Sequence, residues 1–122
     1  MLDLKSLNFK VGMYIRLSRE DGDKQESESI GNQRNILQRY VKEHALCFVK
    51  EYVDDGVSGT TFDRPGFSEM IQDIENGTIN MVITKDLSRL GRDYIKTGFY
   101  IEDYFPKNNV RYVAITDGID TY

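Results

Sequence analysis

Cysteine and histidine are nearly missing from this chain: Cys47 and His44 are the only examples in 122 residues. One cysteine excludes an internal disulfide and leaves no thiolate cluster for zinc. One histidine, toward the end of a predicted helix, supplies a metal site or a Ser–His dyad poorly; a solvated helix-end role fits it better. A basic excess is also lacking, with Lys and Arg totalling 16 against 20 Asp and Glu and a net charge of −4. A domain that grips a long stretch of nucleic acid by itself usually carries a basic footprint. There is no apolar run near the length of a membrane span and no signal-peptide pattern, so a cytoplasmic protein is expected. Internal repeats, low-complexity tracts and linkers are absent too.

What remains is ordinary for a folded protein: 39% apolar and 30% charged residues. The length fits one domain, 1–122, with a real hydrophobic core. Residues 1–8 have no pattern and read as a flexible leader. Strands are expected over 9–17, 46–53, 78–84 and 110–115. Helices are expected over 29–45, from Pro65 or Gly66 to a stop at Asn76-Gly77, and over 94–105 before Pro106 and Asn108-Asn109. The segments 18–27, 54–65 and 85–93 read as loops or polar connections. Alternating strands and helices imply right-handed crossovers onto a mostly parallel sheet with helices on both faces, a three-layer α/β fold. Ligands of such sheets sit beyond the strand carboxyl ends, where Ser18, Asp54-Asp55 and the 85–92 segment all fall. Cys47 reads as a core residue of the second strand. Phe67, Met70, Ile71 and Ile74 read as a core stripe, and core packing or a subunit contact suits Tyr100, Tyr104 and Phe105 better than stacking on bases.

Within the first strand, Tyr14, Arg16 and Ser18 share one face while Met13, Ile15 and Leu17 share the other. A phenol, a guanidinium and a hydroxyl at a strand end make sense around a phosphate. Arg89 and Arg92, three residues apart, fall on one face of a helical turn, and Arg64 could close the same pocket. Preformed cations of this kind stabilise the charge of a phosphodiester under attack. The plainer alternative pairs each arginine with a surface carboxylate such as Asp54, Asp55, Asp63, Asp86 or Asp93. Ser18 is the candidate nucleophile; a turn serine is the plainer alternative. Adjacent Asp54 and Asp55 face opposite ways on a strand and lack a placed third carboxylate, which argues against a metal site.

Five ordered motifs carry a resemblance: Tyr14-Ile-Arg16-Leu-Ser18, Gln33, Asp55-Gly-Val-Ser58-Gly59, Asp63-Arg64-Pro-Gly66 and Leu87-Ser-Arg89-Leu-Gly-Arg92-Asp93. Together they resemble the catalytic domain of serine site-specific recombinases, the resolvase/invertase family. The wide gap between Ser18 and Gln33 and the wording of 85–94 look most like the large serine recombinases of mobile elements. The resemblance implies a resolvase-like fold. It implies that Ser18 cleaves and rejoins DNA through a 5′-phosphoserine link, with no metal or other cofactor. Arg16, Arg64, Arg89 and Arg92 would bind and activate the scissile phosphate, while Tyr14, Gln33, Asp55 and Ser58 would shape the site. Double-stranded DNA would be the partner, with self-association as a dimer and a synaptic tetramer in a prokaryotic cytoplasm. The oligomerisation helix and DNA-binding region of the family would lie beyond Tyr122. Ser88 stands where small resolvases usually carry Asp.

Two rivals share the layout. A receiver-like phosphoacceptor needs paired carboxylates after the first strand, an Asp after the third and a late Lys. This chain has Ser18-Arg19-Glu20, Thr84-Lys85 and no lysine after Lys107. A catalytically silent assembly domain has no need of Ser18 together with four arginines.

Overall fold

A computed structural model describes residues 9–17, 30–55 and 64–122. The predicted leader, Ser18 and Ser58 lie outside the described residues. The elements run β1 (Lys10–Leu17), α1 (Ile30–Glu43), β2 (Cys47–Asp55), α2 (Pro65–Glu75) and β3 (Met81–Thr84). They continue through α3 (Leu87–Leu90), α4 (Tyr94–Phe99), a π-helical turn (Tyr100–Tyr104), α5 (Phe105–Lys107), β4 (Arg111–Ala114) and β5 (Ile119–Asp120). One sheet has the order β2-β1-β3-β4-β5. Its first four strands are parallel, and β5 pairs antiparallel to β4. Strand order reverses at β1, which lies between β2 and β3, and this is where an open α/β sheet forms a crevice.

The alternation of β1 divides the core. Val11, Met13 and Ile15 join Leu37 and Val41 of α1, with Met81, Ile83 and Val113, on one face. Tyr14 joins Tyr52, Val82 and Tyr112 on the other face, under Phe67, Met70 and Ile74 of α2 and Phe105 of α5. The expected stripe on α2 is therefore core, with Ile71 packed at its edge. Tyr100 and Tyr104 likewise pack against this face. Gly12 sits where β1 shifts register against β2. A Cβ there would stand 2.7 Å from Ile79 Cδ1 and 2.9 Å from Tyr52 Cε2.

Three expectations need correcting. Cys47 is exposed rather than core. It begins the edge strand β2, and Phe48, Val49 and Lys50 are exposed with it. The helical turn expected to carry Arg89 and Arg92 on one face is α3, where Asp86 caps by accepting from the Arg89 amide. It ends at Leu90, so Arg92 lies beyond it and is exposed while Arg89 is buried. Pro106 does not end the third helix, which runs on to Lys107. In the π-helical turn just before it, the Phe105 amide bonds to the Tyr100 carbonyl, five residues back. Such a widened turn is one way a helix accommodates a residue lacking an amide proton. The chain then reverses at Asn109, whose φ is 57°. Among the described residues no helix is long and apolar enough to cross a membrane.

Candidate active site

Three arginines that are distant in sequence meet beyond the carboxyl end of β1. Arg16 and Arg64 are 0% exposed and Arg89 is 2% exposed. Arg16 is the penultimate residue of β1, Arg64 is the residue that enters α2, and Arg89 sits in α3. Consecutive carbonyls of α3 act as their hub. Arg16 donates from Nη2 to the Ser88 carbonyl at 2.5 Å and from Nε to the Arg89 carbonyl at 3.3 Å. Arg64 donates from Nη2 to the Leu90 carbonyl at 2.8 Å. Arg89 returns the contact, donating to the Arg16 carbonyl at 3.2 Å. Buried Gln33 of α1 donates to that same carbonyl at 3.1 Å, fixing the strand end from the opposite layer.

Crowding of like charge is felt at Arg16. Burial, then repulsion from Arg64, Arg92 and Arg89, pushes its guanidinium down from the ordinary arginine range to about 10. It stays protonated at neutral pH, but an arriving anion would relieve that repulsion. Arg92 differs from the others in being exposed, beside Gly91 and Asp93. It helps to line a cavity of about 280 Å³ with Leu87, Tyr94, Thr97 and Ile101.

Tyr14 is buried against this cluster. Its hydroxyl donates to Asp54 Oδ2 at 2.8 Å and accepts from Arg64 Nη1 at 2.9 Å. Burial, more than either partner, pushes the phenol far up, so it holds its proton and is no base. The Arg64 guanidinium carbon also lies 5.7 Å from the Tyr14 ring centre and 5.1 Å from that of Phe67, within cation–π range.

The sequence-derived site residues thus divide. Tyr14, Gln33, Arg16, Arg64 and Arg89 come together. Arg92 stands at the exposed edge, still coupled electrostatically to Arg16. Asp55 is exposed at the end of β2, paired in register with Leu17 and so beside the strand end that leads to Ser18. Of the adjacent pair, it is Asp54 that faces inward, at 4% exposure. Two carboxylates went unassigned in the sequence. Asp54 became legible only once β2 was seen to run to residue 55, which places it on the buried side with Tyr52 and opposite Arg16. Asp86 sits 3.9 Å from Arg89 Nε and accepts from the Ser88 hydroxyl at 2.5 Å. A carboxylate therefore stands near Arg89 even though position 88 is serine; the helix-entry pattern Asp86-Leu-Ser-Arg89 was its signal.

The chain matches the family model described as Resolvase, N terminal domain, over residues 11–122. It is similar to the N-terminal catalytic domain of TP901-1 integrase at 31% identity and a TM-score of 0.82, covering 92% of this chain and 81% of that one. A resolvase family site-specific recombinase from Streptococcus pneumoniae is similar at 25% identity and a TM-score of 0.74, covering 93% and 76%. A serine recombinase from Sulfolobus solfataricus is similar at 25% identity and a TM-score of 0.67, covering 88% and 69%.

Proposed function

The chain belongs to the family of the resolvase N-terminal domain, and on that premise we propose that Ser18 is its nucleophile toward DNA. Its function is that of a site-specific DNA recombinase. In the step proposed, the Ser18 oxygen bonds to phosphorus as the P–O3′ bond breaks. The serine proton is released, and the 3′ oxygen takes one up to leave as a hydroxyl. The 5′ phosphate stays on the protein until a 3′ hydroxyl reverses the step. One ester replaces another, so religation needs no external energy source. Double-stranded DNA is the partner, and the full protein acts as a dimer that pairs into a synaptic tetramer in the cytoplasm.

One observation carries this reading: three buried guanidinium groups meet at the carboxyl end of β1, and Arg16 is destabilised there by burial and then by its neighbours' charge. Buried like charges are costly unless an anion completes the set. A phosphodiester under attack is such an anion, and fixed donors favour its developing charge most strongly in a site that excludes water. Phosphate oxygens would replace the α3 carbonyls as acceptors, with exposed Arg92 meeting the backbone first. The permanent charge of arginine gives this work to side chains rather than to a metal ion. Tyr14, Gln33, Asp55 and Ser58 shape the pocket. To test the reading, full-length protein is trapped on genomic DNA by denaturation, digested with nuclease and searched by mass spectrometry for a nucleotide on Ser18. Ser18→Ala should bind DNA and form no adduct; an adduct that persists in this variant overturns the assignment.

A further inference from the structure

Asp54 has no part in the chemistry above, yet the active-site geometry converges on it. Its Oδ1 accepts from the Gly66 amide at 2.8 Å, and its Oδ2 accepts from the Phe67 amide at 2.9 Å and from the Tyr14 hydroxyl at 2.8 Å. These amides open α2, whose N-cap residue, Arg64, supplies no side-chain cap of its own. The seat is tight: a Cβ on Gly66 would stand 2.9 Å from Oδ2 and 3.0 Å from Oδ1.

The hydrogen-bond direction then follows from proton supply. A phenol has one proton and two lone pairs, a carboxylate only accepts, and a guanidinium only donates. The Tyr14 proton must point to Asp54, which leaves its lone pairs for Arg64. We propose that Asp54 is a positioning residue for DNA cleavage: seated on the start of α2, it takes the Tyr14 hydrogen bond and keeps that oxygen an acceptor for Arg64. The same carboxylate fixes Arg64 twice, at its backbone through the helix entry and at its guanidinium through Tyr14. This rests on the reading of Arg64 as a phosphate-binding group. Asparagine at 54 cannot substitute, since either amide orientation turns an NH2 toward a donor, at Gly66 or at Phe67 and Tyr14.

The test compares wild type, Asp54→Asn, Tyr14→Phe and the double variant. It reads the rate of Ser18–nucleotide adduct formation by full-length protein on genomic DNA, and the 15N NMR signals of the Arg64 guanidinium in this chain. Each single variant should slow adduct formation roughly ten- to a hundredfold, the worth of one buried charge-assisted hydrogen bond, with DNA binding retained. The double variant should be no slower than the slower single one, because both act through one bond. Separate Arg64 signals in wild type should merge in each variant. If Asp54→Asn lowers the melting temperature but keeps separate Arg64 signals and the wild-type rate per folded molecule, its role is structural and the proposal is overturned. Should Asp54→Asn not fold, Tyr14→Phe and a neutron structure of the wild type decide. A Tyr14 deuteron turned away from Asp54, or a wild-type rate in Tyr14→Phe, overturns it. A wild type that forms no Ser18 adduct sinks the proposed function instead, and the Arg64 signals then judge Asp54 alone.

Discussion

Replacing Arg16 with methionine should abolish strand cleavage while leaving the fold about as stable as before. Arg16 is 0% exposed, and its guanidinium is pushed down from the ordinary arginine range to about 10. The folded value lies below the unfolded one, so the charged form is penalised at every pH below about 10. Relief comes only as the pH rises from there toward the ordinary arginine range. At neutral pH that penalty is about 3 kcal/mol, at roughly 1.4 kcal/mol per unit. Methionine removes it, nearly fills the same space and keeps the stem's apolar contacts. Against this stand the two hydrogen bonds to the Ser88 and Arg89 carbonyls, together worth about 3 kcal/mol at the lower end for a charged donor. The terms nearly cancel, so the melting temperature should move by no more than about 4 °C. Adduct formation on Ser18 should fall by at least about a hundredfold, as when a preorganised donor to developing charge is lost. Calorimetry and the mass-spectrometric assay on one preparation read both effects. A loss of more than about 3 kcal/mol would mean that Arg16 holds the fold together, and the case for a phosphate site would lose its main support.

Arg92→Ala should leave the unfolding free energy within about 0.5 kcal/mol of wild type, because the residue is exposed, while lowering the adduct rate; unchanged cleavage would remove Arg92 from the site. Asp93→Ala deletes the cap that accepts from the Ile95 and Lys96 amides at 3.1 Å each, so thermal unfolding should show a loss of about 1 kcal/mol. Gly12→Ala should cost about 1–3 kcal/mol by overpacking against Ile79 and Tyr52; a neutral result would show that the register shift has room to relax.

The fold was legible where hydrophobic period and chain punctuation agreed. Val11 to Ile15 alternate, Phe67 to Ile74 repeat at helical spacing, and Met81 to Ile83 of β3 are consecutive apolar residues. Each landed in the layer its pattern predicts. The failures share a cause, which is that local sequence does not report what covers a strand. Cys47 and Phe48 have strand-like neighbours, but an edge position leaves them uncovered. Strand β5 is two residues long and is held by pairing to β4 rather than by any pattern of its own.

The site was legible to the extent that its residues are cations, and illegible where it depends on acceptors. Arginines beside strand ends pointed to an anion, and three of the four were found buried together. What organises them is a set of backbone carbonyls at 88–90 and one inward carboxylate, Asp54. Backbone acceptors have no signature in sequence, and Asp54 is told from Asp55 only by strand parity. Parity in turn depends on where β2 ends, two residues later than periodicity placed it. Once that boundary is fixed, the register pairing of Arg16 with Asp54 puts the carboxylate on the Tyr14 side and the assembly follows. The polar end of a strand, where hydrophobic signal fades, is thus both the place prediction loses the thread and the place this fold keeps its chemistry.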